Sequence, residues 1–66
     1  MDIPYIIQML QNKIAVLNNA KSQAYSIGDL ERLNALDKDL LQTQSTIAQL
    51  QMLLAATQAA NVSNLP

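Results

Sequence analysis

The chain has 66 residues; half are apolar and 14% are charged, with four lysines and arginines against five aspartates and glutamates. It contains neither cysteine nor histidine, which excludes disulfide bridges, zinc sites built on these residues and a thiol nucleophile. Binding to the phosphate backbone of nucleic acid needs an excess of positive charge, so we expect no nucleic-acid partner.

The N-terminal part of the chain has the spacing of an amphipathic helix. Asp2 is a suitable N-cap, and Pro4 fits a first helical turn, where a backbone amide hydrogen is not needed. The pattern predicts a helix over about residues 3–26. Residues on one stripe, which we call the first seam, recur in steps of four and three and are apolar except for Lys21: Ile3, Ile7, Leu10, Ile14, Leu17, Lys21 and Ala24.

A second stripe of the same kind follows and predicts a helix over about residues 30–60. Its positions, which we call the second seam, are apolar except for one threonine: Leu33, Leu36, Leu40, Thr43, Ile47, Leu50 and Leu54. The remaining residues, 61–66, show no periodicity and include asparagine, serine and proline, so we expect an irregular terminus.

The short segment 27–29 between the two seams predicts a sharp turn. Gly28 can adopt the left-handed conformation that ends a helix, and Asp29 can cap the first amides of the next helix. If the turn is centred between residues 28 and 29, the numbers of two residues that face each other in the antiparallel pair add to 57. Ile3 is therefore expected opposite Leu54. The sequence therefore predicts an all-α fold, an antiparallel two-helix hairpin of the coiled-coil type, as a single domain over residues 1–66.

The two polar seam positions have structural interpretations. We expect the stem of Lys21 to lie over Leu36 and its amine to reach Asp37. Thr43 has two interpretations, which stay open: its hydroxyl fixes the register of the hairpin, or it bonds back to its own helix.

Apolar side chains also lie outside the seams, which indicates that the hairpin is completed by oligomerisation or by packing in a larger assembly. Most of them lie at the open end of the hairpin, whereas charges surround the turn and none follows Asp39. An alternative is that alanine and glutamine here are simply good helix formers on a soluble surface. The predicted interaction residues are Tyr5, Ile6, Met9, Val16, Met52, Leu53, Ala55 and Ala56.

The sequence offers no arrangement of residues for catalysis, metal binding or a cofactor. Asp37 and Asp39 are two residues apart and point to different sides of a helix. The serines lack a histidine base, and Gly28 stands alone rather than in a phosphate-binding loop. We therefore expect a protein that is not an enzyme.

Targeting signals are also missing from the sequence. Asp2 stands where a secretory signal needs positive charge, so we expect no export by that route. The uncharged stretch 40–60 is long enough to cross a bilayer, but its many glutamines and threonines would meet lipid, so we expect no membrane partner.

The segment IGDLERLNALDKDLLQTQSTIAQLQ, residues 27–51, resembles the uncharacterised helical-hairpin proteins encoded by tailed phages, marine myophages especially. The dimensions also resemble those of the Rop-like plasmid proteins, whose two hairpins form a four-helix bundle. The phage resemblance implies an accessory role in a capsid or tail and carries over no functional residue.

Two functions follow as expectations. The first is a structural protein that packs through the open end of the hairpin as part of a homo-oligomer or larger protein assembly, such as a minor phage virion component. The second is a soluble dimeric adaptor or regulatory hairpin that binds a partner protein through its charged turn. The location is the virion if the chain is phage-encoded, and otherwise the cytoplasm.

Overall fold

The computed structural model describes residues 2–63, and within this range it contains two α-helices and no β-strand. Helix α1 spans Ile3–Ile27 and helix α2 spans Leu30–Ser63. The helices pack against each other along a rod 60 Å long and 15 by 14 Å across. The predicted all-α helical hairpin is confirmed.

The turn between the helices is built from backbone hydrogen bonds that need a glycine. Gly28 has a φ angle of 72°, in the left-handed region that residues with a Cβ atom rarely adopt. The amide of Gly28 donates to the carbonyl oxygen of Tyr25 at 3.1 Å, and that of Asp29 donates to Ala24 at 3.0 Å. These two bonds form a Schellman motif, which satisfies the last carbonyl groups of α1.

Aspartate side chains cap the first turns of both helices. The Oδ1 atom of Asp2 accepts a hydrogen bond from the Tyr5 amide at 3.2 Å, and Oδ1 of Asp29 accepts one from the Arg32 amide at 3.1 Å. Each bond satisfies an amide that has no partner inside the helix. The predicted turn residues Gly28 and Asp29 therefore have the conformations expected of them.

The two predicted seams form the core of the hairpin. All fourteen seam positions are buried or half-buried, and the six most buried are divided equally between the helices: Ile7, Leu17 and Ala24 on α1, with Leu40, Thr43 and Ile47 on α2. The apolar period thus identified the packed face of each helix correctly.

This core is thin. The buried leucine and isoleucine side chains keep between 7% and 9% of their surface exposed, because a pair of helices encloses each side chain from two directions only. Thr43 lies in the middle of this core, and its hydroxyl donates to the carbonyl oxygen of Asp39 at 2.8 Å.

Helix α2 is longer than predicted. It continues to Ser63, so the irregular terminus predicted for residues 61–66 is wrong for residues 61–63. Asparagine, valine and serine are weak helix formers, but none of them breaks a helix as glycine or proline does. Residues 64–66 of that prediction lie outside the described residues.

Candidate interaction surface

The open end of the hairpin places the first residues of α1 beside the last part of α2. Ile3 and Leu54 line one shallow pocket, together with Asp2, Pro4 and Thr57. Ile3 and Leu54 are the seam residues whose numbers add to 57, so this pocket agrees with the predicted register. The open end is therefore a defined structure made from both helices.

Two large side chains of the open end lie on the outer surfaces of the helices. Tyr5 lies midway between two seam positions of α1, and Met52 lies midway between two seam positions of α2. Both side chains therefore point away from the core. Their exposed fractions are 61% and 72%. Neither side chain contributes to the packing between α1 and α2.

The other predicted residues of the open end are partly or largely exposed. Ile6 is half-buried beside the seam, whereas Met9 and Leu53 keep about half of their surface in solvent and the two alanines are exposed. We group these residues with Tyr5 and Met52 by their position at the open end, where Tyr5 and Met52 lie on opposite outer sides of the hairpin. The open-end surface comprises Tyr5, Ile6, Met9, Met52, Leu53, Ala55 and Ala56.

Val16 does not belong to the open-end surface. It lies about two turns beyond Met9 on α1, near the middle of the rod, and its side chain is 68% exposed. The structure therefore does not group all eight predicted residues at one end.

The predicted contact between the Lys21 amine and Asp37 is confirmed by an ion pair across the helices. The Nζ atom of Lys21 lies 2.7 Å from Oδ1 of Asp37, and Lys21 is half-buried on the seam. Both side chains remain more than 40% exposed, so solvent screens this pair and it adds little to stability.

A second ion pair, between Lys13 and Asp39, was missed by the sequence analysis. The Lys13 Nζ atom lies 3.4 Å from Oδ1 of Asp39. Lys13 directly precedes the seam residue Ile14, and Asp39 directly precedes the seam residue Leu40. In an antiparallel coiled coil, two such flanking positions face each other on the same side. This heptad relation could have predicted the Lys13–Asp39 pair from the sequence.

The turn carries exposed apolar side chains that the sequence analysis did not select. Tyr25 and Ile27 are each 77% exposed, and Leu30 is 70% exposed. These side chains stay in solvent because the rod ends here and, within residues 2–63, no third helix or strand covers them. The expected division between an apolar open end and a charged turn is thus incomplete.

In the part of the chain that the structure describes, no three histidine, cysteine, aspartate or glutamate side chains lie close enough to hold a metal ion. Neither described helix combines the length and the apolar character that crossing a bilayer requires.

Comparison with known proteins identified no relative of the chain. No family model, no curated protein and no solved structure matches the chain.

Proposed function

We propose that the chain is a non-enzymatic assembly protein that packs into a larger protein complex through its open-end surface. One observation carries this proposal: Tyr5, Met9, Met52 and Leu53 are all more than half exposed, in a region where α2 has no charged residue after Asp39. Covering such side chains is favourable, and the lack of charge avoids the desolvation cost that burial would otherwise bring.

The thin core supports the same proposal. Folding must offset roughly 1.5 kcal/mol of ordering entropy per residue, and a single seam between two helices supplies little apolar area for that purpose. Five apolar residues of the described chain are buried in the hairpin. Packing against further protein would add the missing contacts.

The resemblance of residues 27–51 to hairpin proteins of tailed phages supports a narrower proposal. In this narrower form, the chain is a minor component of the virion, in the capsid or the tail. If the chain is not phage-encoded, the same assembly function would operate in the cytoplasm.

A second candidate function is an adaptor that binds a partner protein through the turn. The exposure of Tyr25, Ile27 and Leu30 favours it, because these apolar side chains lie next to the charges of Glu31 and Arg32. A surface with an apolar centre and a polar rim is common in protein interfaces.

Exchange of Met52 for glutamate tests the open-end proposal. Met52→Glu places a charge on the open-end surface without touching the seam, so the helices should still form while binding to the assembly weakens at least about tenfold, or about 1.4 kcal/mol. Gln51→Glu is the matched control, since Gln51 is the exposed neighbour of Met52. The readout is the amount of each variant in the purified native complex, measured by native mass spectrometry.

The two candidate functions make opposite predictions for the turn. Asp29 caps α2, so its removal would disturb the hairpin itself. Glu31→Ala, Lys38→Ala and Ile27→Ser change the surface near the turn instead. The assembly proposal predicts that these variants enter the complex normally and that Met52→Glu does not. The adaptor function predicts the reverse result.

A further inference from the structure

The two seams do not continue each other through the turn. Along α1 the seam alternates steps of four and three residues, and this pattern, carried past Ala24, would reach positions 28, 31 and 35. The seam of α2 instead occupies Leu33, Leu36 and Leu40, five residues later at each position. The turn therefore interrupts the heptad pattern.

In a single straight helix, this shift would place the two seams on nearly opposite sides. Each residue turns an α-helix by about 100°, so five residues turn it by about 500°, which is about 140° beyond one full turn. The hairpin avoids this conflict, because its turn reverses the chain and lets the two seams face each other. The shift has consequences only if the turn straightens.

Straightening the turn would sacrifice no backbone hydrogen bond at its centre. The amides of Gly28 and Asp29 now donate to the carbonyl oxygens of Tyr25 and Ala24, respectively. In a continuous helix the same two amides would donate to the same two oxygens, with the partners exchanged. The local features that favour the turn are the left-handed Gly28, with a φ angle of 72°, and the bond from the Arg32 amide to the Asp29 side chain.

Each seam could pack against the same residues in another copy of the chain. Leu17 and Leu40, whose numbers add to 57, are both buried between α1 and α2. The α1 helix of one copy can bury the same side chains against the α2 helix of a second copy, because the facing residues are identical in both cases. Such an exchange of helices needs no new surface.

We infer that Gly28 and Asp29 form a conformational control that keeps the chain from polymerising by exchange of its helices. A straightened chain would bind the α2 helix of one copy on its first seam and the α1 helix of another copy on its second seam. Because the seams lie on nearly opposite sides, two straightened chains cannot satisfy both seams of each other, and the contact does not close. The inference goes beyond the proposed function and does not depend on the open-end surface.

Removal of the two turn signals tests this inference. Gly28→Ala combined with Asp29→Ala replaces the left-handed residue and the cap by the best helix former. Ile3→Cys and Leu54→Cys, added to this variant, report which chains meet, since both positions line one pocket of the hairpin. At millimolar concentration, oxidation should link the straightened variant into a ladder of three, four and more chains on a denaturing gel without reductant. The same two cysteine substitutions beside the natural turn should link within one chain.

Two extra alanines after position 29 provide the matched control. In the same straightened variant, they move the seam of α2 from five residues late to seven, which is one complete heptad, so both seams lie on one side. This chain should close in pairs, and its covalent products should stop at two chains. Sedimentation velocity without oxidation should show one mass for the control and masses that grow with concentration for the straightened variant.

Each outcome decides for or against the inference. A ladder from the straightened variant, with two-chain products from the control, supports it. Two-chain products from both variants overturn the argument from the seam shift, and bonding within one chain overturns the role of Gly28 and Asp29. Loss of the helices, measured by circular dichroism at the same concentration, also overturns it, because the seams should then have paired between chains. None of these substitutions lies on the open-end surface, so the proposed function is tested separately.

Discussion

The residues that end and begin the helices act through local geometry, and this is why the sequence identified them. Asp2, Gly28 and Asp29 satisfy backbone groups within a few residues of themselves, so their surroundings can be predicted from sequence neighbours alone. The Lys13–Asp39 pair joins residues far apart in the chain, and finding it required the register of the helices as well as their positions.

Gly28 should be the most sensitive residue of the turn. Its φ angle of 72° strains any residue with a Cβ atom, although open space surrounds the place where that atom would lie. Gly28→Ala should therefore lower the free energy of unfolding by about 1 kcal/mol through backbone strain alone, and Gly28→Asn by less. Urea unfolding followed by circular dichroism measures both. Equal stability of the alanine variant and the unmodified chain would contradict the left-handed conformation.

Thr43 allows the two interpretations of its hydroxyl to be separated. Its bond to the Asp39 carbonyl stays within α2, and that carbonyl also accepts the Thr43 backbone amide in a regular helix. Thr43→Val should therefore leave no buried group without a partner, and stability should stay constant or rise by up to about 1 kcal/mol.

Thr46→Val is the control for this substitution. Thr46 makes the same kind of bond, at 3.0 Å to the Gln42 carbonyl, but it is exposed, so stability should hardly change. A loss of more than about 1 kcal/mol for Thr43→Val alone, measured by urea unfolding, would show that the Thr43 hydroxyl fixes the register instead.

At the scale of the helices, the period of the apolar residues predicted the packed faces and the direction of packing. It did so because apolar side chains that recur every three and four residues form one stripe along a helix, and this stripe is removed from water only when it packs against a partner. The end of α2 was predicted less well: helix termination depends on small differences between weak helix formers, as at residues 61–63.

A disulfide across the open end tests the register of the two helices. Ile3 and Leu54 line the same pocket, so Ile3→Cys combined with Leu54→Cys should form a bond within one chain on oxidation. The bond should raise the free energy of unfolding by about 2–4 kcal/mol.

The control for the register pairs Ile3→Cys with Met52→Cys, because Met52 points away from the core and should not react within the chain. Mass spectrometry after oxidation in dilute solution reports the outcome. Efficient bonding of the control pair, or none with Leu54→Cys, would mean that the helices pack in another register.

At the scale of the whole molecule, the sequence was least informative about the surface. Exposure of Tyr25 and Leu30 depends on where the rod ends and on the absence of a covering element, neither of which is encoded in a heptad. The open-end residues Tyr5, Met9 and Met52 were predicted because they are large, apolar and off the seam. Which protein would cover them in the proposed assembly depends on the surface of that protein, and no pattern within this chain specifies it.

The central claim is that the hairpin gains much of its stability by association, and the concentration dependence of its unfolding tests this most directly. We expect the midpoint of reversible urea unfolding to increase as the purified chain is concentrated from micromolar to millimolar, because mass action favours the associated folded state. The sedimenting mass should rise above that of the 7.2 kDa single chain over the same range. A constant midpoint, together with a stable 7.2 kDa monomer at every concentration, would contradict the claim.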